Sequence, residues 1–117
     1  MFQDYKSRIN EIEGNQFPST SYRQMVLQPA YEEAKKHFLK LMVQIHIAHL
    51  KMLEEQQLVT KEEAKLIGQA ITKLDLDYYE HRDYNPQFED LFFRIENKLI
   101  ELAGDVAGNL HIGRSRN

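Results

Sequence analysis

Cysteine is absent from the 117-residue chain. That excludes a disulfide framework, thiolate zinc sites and thiol catalysis, and it suits a reducing compartment. An excess of one charge is also lacking. Fifteen Lys and Arg against 18 Asp and Glu leave a net charge of −3, too little for long-range attraction to nucleic acid or an anionic membrane. Long apolar runs are missing as well. The most apolar stretch, Leu41 to Leu53, is interrupted by Gln44, His46, His49 and Lys51 and is shorter than the roughly 20 residues that span a bilayer. The N-terminus, MFQDYKSRIN, carries Asp4 and no apolar segment of the secretory kind. No stretch alternates with the period of a strand, and no internal repeat stands out. These absences lead to the expectation of a soluble, cytoplasmic, all-α protein with no nucleic-acid or membrane partner. The composition, 42% hydrophobic and 28% charged, is that of an ordinary globular domain or part of a larger one.

What is present is helical periodicity. Met1 to Glu13 can form a short polar helix ended by Gly14, and Asn15 to Ser21 has linker chemistry. Tyr22 to Gln28 is ambiguous, and Pro29 fits the first turn of a helix. The sequence thus divides into an N-terminal arm and linker, 1–28, and a helical domain, 29–117. From Ala30 the residues Ala30, Ala34, Phe38, Leu41, Ile45, Ala48 and Met52 recur at spacings of three and four, which predicts one long helix ending near Gln56 and Gln57. Its second half is apolar on several sides, so it is expected to sit deep. Thr60 and Glu63 form a capping box, with Leu58 placed to staple onto Ala64 or Ile67, and a hairpin of two helices follows. Asp75 to Tyr84 reads as a solvated, tyrosine-rich connection, and Asn85-Pro86 as a turn. A last helix is expected from about Gln87 to Ala103, with Phe88, Leu91, Phe92, Ile95, Leu99 and Leu102 inward. Gly104 is placed to stop it in a left-handed cap.

Few side chains outside the core stripes suggest chemistry. His46 and His49, three apart on a helix, can reach one metal ion, but with no carboxylate at matching spacing they read better as packed or hydrogen-bonded rings. Glu89 and Asp90 suit the positive end of a helix, and as helix neighbours they point about 100° apart, unlike an acid–base pair. The tail is denser. His111, Arg114, Ser115, Arg116 and Asn117 fall within seven residues, beside Gly104, Gly108 and Gly113, which permit positive φ. Arg forks, hydroxyl and amide donors in a glycine-rich turn suit a small dianion. A frayed polar terminus is the alternative.

Gly104-Asp105 followed by Gly108-Asn109-Leu110-His111-Ile112-Gly113-Arg114-Ser115-Arg116-Asn117 resembles the argininosuccinate lyases. Their pattern is Gly-Asp, then Gly-Lys-Leu-His-Thr-Gly-Arg-Ser-Arg-Asn-Asp. Glu89-Asp90, Glu96, Leu99, Glu101 and Leu102 follow the same spacing. Ala48-His49-Leu50-Lys51-Met52-Leu53 is similar to the family's Ala-His-Ala-Lys-Met-Leu, and TKEEA at Thr60 matches its hairpin. The resemblance covers about Pro29 to Asn117.

It implies a mostly helical homotetramer of the fumarase/aspartase superfamily, with each active site assembled from several subunits. The implied reaction is cofactor-free β-elimination of argininosuccinate to arginine and fumarate. The tail would then belong to the substrate-binding segment of the N-terminal domain. Ser115, Arg116, Asn117 and Asp90 would be substrate contacts, and His111, Gly113 and Arg114 would shape the loop. The resemblance assigns no catalytic residue and no metal to these 117 residues, because the family's base is a serine in a downstream Gly-Ser-Ser-x-Met-Pro loop. The chain stops inside the motif, so a fragment inactive by itself is expected. Phe92 stands where the family has His, Ile112 where it has Thr, and Ala30 and Ala34 where it has Ser and Asp. These departures leave two expectations open: a domain of a lyase acting on argininosuccinate or a related dicarboxylate, or a non-catalytic helical interaction module.

Overall fold

The computed structural model describes residues 2–14 and 17–115, and these are all-α, with no strand among them. The chain opens with α1, Phe2–Glu13, closed by Gly14 at φ +72°. Its continuation differs from the expected linker. Ser19 accepts from the Tyr22 N–H and starts α2, Thr20–Tyr22. A π-helical stretch, Arg23–Leu27, joins α2 directly to α3, Gln28–His37. The cause is Pro29. It has no N–H to offer, and its ring crowds the carbonyl one turn earlier. The helix widens ahead of it, the Gln28 N–H bonds to the Arg23 carbonyl five residues back, and the chain stays helical. Tyr22 to Gln28, ambiguous in sequence, is therefore helical, and Leu27 within it is buried.

The expected long helix is two. The ladder flattens at Phe38, with φ −116° and ψ −11°, separating α3 from α4, Leu39–Glu55. The buried face is also not the one the spacing picked out. Tyr31, Leu39, His46, Leu50 and Leu53 face inward, whereas Leu41 is 51% and Ile45 56% exposed. Phe38, Ile47 and Met52 are exposed as well. α4 has two apolar faces, and the described helices pack on only one of them. Apolar spacing alone cannot tell which.

α4 ends in a Schellman motif. The Leu58 N–H reaches the Leu53 carbonyl, the Gln57 N–H reaches Glu54, and Gln57 takes φ +58°. Thr60 then caps α5, Lys61–Thr72, its hydroxyl accepting from the Glu63 N–H at 3.1 Å. The apolar residue folded in ahead of this cap is Val59, not Leu58, which is exposed. Asp75 caps α6, Leu76–Glu80, so the tyrosine-rich connection is partly helical, with Tyr79 buried and Tyr78 exposed. Asn85 makes the expected turn, its side chain accepting from the Gln87 N–H. α7 runs from Leu91 to Ala103, starting later than expected because Asp90 is extended and caps it. Gly104 stops α7 at φ +80° and ψ −164°, a positive-φ region open to glycine but outside the left-handed helical well. A 3₁₀ turn, Asp105–His111, follows.

The core lies between α4, α5, α7 and the 3₁₀ turn. Leu53, Ile67, Leu91, Ile95, Leu99 and Leu110 are all essentially inaccessible to solvent. Tyr31 joins it from α3, its hydroxyl accepting from Arg94 at 2.7 Å. No described helix is long and apolar enough to cross a membrane. Truncating Leu53 to Ala should cost about 3 kcal/mol by the cavity it leaves. Ile45→Ala, on the open face, should cost less than about 0.5 kcal/mol. Urea unfolding of the two variants checks this, and equal losses would mean that both faces of α4 are packed.

Candidate functional site

The tail lies across the helices as a fastened strap. Leu110 and Ala107 of the 3₁₀ turn are buried in the core. Around them, polar side chains from three helices hold the backbone and side chains of 109–114. From α5, Glu63 accepts from the Asn109 amide at 2.8 Å. This replaces the return half of the expected capping box, in which Glu63 would have served the Thr60 N–H. From α7, Glu96 lies 3.4 Å from His111 Nε2, both side chains mostly buried. From α4, His49 Nε2 donates to the Ile112 carbonyl at 2.9 Å. Also from α4, His46 Nδ1 accepts from Arg114 Nη1 at 3.0 Å.

Phe92 stands at the centre. Its ring centroid is 5.8 Å from His46 and 5.3 Å from His111. The Arg114 guanidinium sits 5.8 Å from the same ring, within cation–π range. The position where the lyase pattern has His is thus an apolar platform under the tail. Ile112, the other nearby departure, presents its carbonyl to His49 and keeps its side chain partly exposed.

His46 is wholly buried. A guanidinium only donates, so His46 Nδ1 must be the acceptor, with the ring hydrogen on Nε2. Nε2 has no hydrogen-bond partner among the described residues. Burial first, then the charges of Arg114, His111 and His49, push the His46 pKa from 6.5 down to about 4. The ring is neutral at neutral pH. Reading His46 and His49 as packed or hydrogen-bonded side chains is correct. Their partners, 68 and 63 residues away, carry no local signal.

The other anticipated residues fall as follows. Asp90 is half-buried at the start of α7, where its Oδ1 accepts from the Phe93 N–H at 2.9 Å. Phe92, two residues on, packs against the strap, and no contact of the Asp90 side chain with the strap is found among the described residues. Gly113, at φ +77°, turns the chain between Ile112 and Arg114, a conformation other residues adopt only with strain. Ser115 is exposed just beyond Arg114. Arg116 and Asn117 lie outside the described residues. The structure brings His111, Gly113 and Arg114 together with His46, His49, Phe92 and Glu96. Of these, only the first three were singled out for the site from sequence.

The fold and site define an all-α unit that presents a glycine-turned, Arg- and Ser-bearing segment on a helical bundle. Sequence comparison identifies the lineage. The chain is 33% identical over 101 residues to argininosuccinate lyase 1 of Shouchella clausii, covering 86% of this chain. It is 38% identical over 105 residues to argininosuccinate lyase 2 of Agrobacterium fabrum, covering 88%. With the argininosuccinate lyase of Staphylococcus carnosus it shares 38% over 76 residues, 64% of this chain. The chain is a divergent relative of the argininosuccinate lyases, and it spans about a fifth of the length of these relatives. No protein-family model and no solved structure matches it.

Two stability predictions follow from this geometry. Asp90→Ala should cost about 1 kcal/mol through the lost cap, read as a lower urea midpoint. His46, whose folded pKa is depressed, makes the protein acid-sensitive. The unfolded chain takes up a proton below about 6.5 that the folded chain refuses until about 4. Its contribution is therefore complete above about pH 6.5 and falls by up to about 3 kcal/mol as pH drops toward 4. His46→Gln should flatten that part of the stability profile, and an unchanged acid slope in the variant would contradict the assignment.

Proposed function

We propose that this chain carries a substrate-binding segment of an argininosuccinate lyase-like enzyme, which eliminates arginine from argininosuccinate or a related dicarboxylate and leaves fumarate. The observation that carries this is the strap itself. The segment in lyase order, Gly108 to Ser115, is held on three helices, with Asn109 on Glu63, His111 beside Glu96, Ile112 on His49 and Arg114 on His46. A terminus that merely frays has no such set of partners.

In this reading Ser115, Arg116 and Asn117 donate to substrate carboxylates. As a base removes the Cβ proton, negative charge gathers on the neighbouring carboxylate, and donors held in place stabilise it without reorganising. Asp90, at the cap of α7, serves the cationic end of the substrate. His111, Gly113 and Arg114 fix the loop. No cofactor enters. The base belongs to the family's serine loop, and no Gly-Ser-Ser occurs in these residues. The 117 residues alone therefore bind weakly and do not turn over, because proton abstraction needs a base against the substrate. The active assembly is a homotetramer with shared sites.

A second reading, a non-catalytic helical interaction module, is favoured by one observation: the exposed apolar side of α4 with Phe38, Leu41, Ile45 and Met52. Sedimentation of the chain separates the two, since a clean monomer weakens the second and leaves the first intact.

The test of the first is an amide-resolved NMR titration with argininosuccinate. Saturable shifts should be confined to 111–117 and the start of α7. Arg116→Ala should weaken binding by roughly tenfold or more, about 1.4 kcal/mol, and absorbance should show no fumarate. Shifts spread elsewhere, or none at millimolar ligand, would remove the substrate-binding assignment. Fumarate release would remove the claim of inactivity.

A further inference from the structure

We propose that His46 is a positioning residue for the tail: its neutral imidazole receives Arg114 and so holds Gly113 to Ser115 against α4, and a proton on that ring releases the segment. This rests on reading the tail as a substrate-binding segment, and it adds what controls the segment's place.

The geometry is specific. Arg114 Nη1 approaches His46 Nδ1 to 3.0 Å, and both groups have their cationic or potentially cationic face in that contact. Because Arg114 remains charged at every accessible pH, the bond exists in one protonation state of His46 only. Protonation takes away the acceptor and sets two cations at hydrogen-bond distance, one of them on a ring wholly removed from water.

The surrounding groups do not offset that repulsion. The charges that act on the ring are Arg114 and His111 from the tail and His49 from its own helix, and all three are cationic when protonated. From α7 come the Phe92 ring, which is neutral, and Glu96, which lies against His111 at 3.4 Å. From α5, Glu63 is engaged with Asn109. Among the described residues, no acid is paired with the ring at position 46.

Release would be local. Leu110 is fully buried and Ala107 nearly so, and their apolar contacts do not respond to this proton. The chain up to about His111 should stay in place, with the segment beyond it freed. His49, three residues on from His46, holds the Ile112 carbonyl. It marks where the freed part would begin.

The experiment is hydrogen exchange by NMR on residues 110–115 of the chain between about pH 7 and pH 4, for the parent, His46→Gln and His46→Phe. Gln offers a neutral acceptor that does not titrate, and Phe keeps a ring and removes the acceptor. In the parent, exchange at Gly113 to Ser115, corrected for intrinsic pH dependence, should accelerate by roughly tenfold or more on acidification while Leu110 stays protected. His46→Gln should keep the tail docked through the same range. His46→Phe should show it undocked at neutral pH with unchanged helical circular dichroism. An acid response in His46→Gln equal to the parent's would overturn the proposal, whether or not His46→Phe folds, and so would a docked tail in a folded His46→Phe. Argininosuccinate titration of the same proteins keeps the two ideas apart. A tail that docks and releases as stated but binds nothing at either pH removes the substrate reading and leaves the role of His46 standing.

Discussion

The burial of Leu110 is the contact on which the rest depends. It closes the space between α4, α5 and α7, and it does so from a seven-residue 3₁₀ turn that begins where Gly104 breaks α7. A side chain of that size, fully removed from water, contributes about 2 kcal/mol. It also brings a short polar segment to three helices at once. Without it, Asn109, His111 and Arg114 would have to find their partners against the full cost of ordering an unanchored segment. With it, each polar contact is made by a chain already held within a few ångströms. The helical core and the candidate site are one construction, the site being the polar border of the core.

That border is built with groups that can be buried without a net charge. The neutral His46 accepts from one guanidinium nitrogen, His49 donates to a carbonyl, and an aromatic ring lies within cation–π range of the arginine. Buried carboxylate partners would have bound Arg114 more strongly, but at a large desolvation cost. The two carboxylates of the border lie elsewhere, Glu96 by His111 and Glu63 on the Asn109 amide. The polar segment is therefore held by moderate interactions in a well-packed place.

Much of this was legible in the sequence. The hairpin around Thr60, the inward residues Leu91, Ile95 and Leu99 of α7, and the stop at Gly104 all follow from local chemistry that the structure repeats. The tail's residue order pointed to its family. What failed did so for physical reasons. α4 carries apolar residues on two sides, so spacing selected Leu41 and Ile45 when Leu50 and Leu53 are the buried ones. Pro29 does sit in the first turn of α3, but the widened turn that joins α3 to the helix before it leaves no simple pattern, so the continuity of the chain there was missed. Asp90 as a cap was hidden by its acidic neighbour Glu89, either of which suits a helix start. The partners of His46 and His49 were unreadable because contacts over sixty residues apart have no period.

The points at which the tail is held have a mechanical meaning. Asn109 rests on α5, His111 beside α7, and Ile112 and Arg114 on α4. Three supports that do not lie on one line determine both the place and the tilt of a body, as in a kinematic mount. Two supports leave one free rotation about the line joining them. A loop seated this way inherits its orientation from the mutual arrangement of the helices. A small slide of α4 against α5 and α7 would thus reach the segment as a change of angle more than of position, and the helices would set its tilt without breaking any of the contacts that hold it.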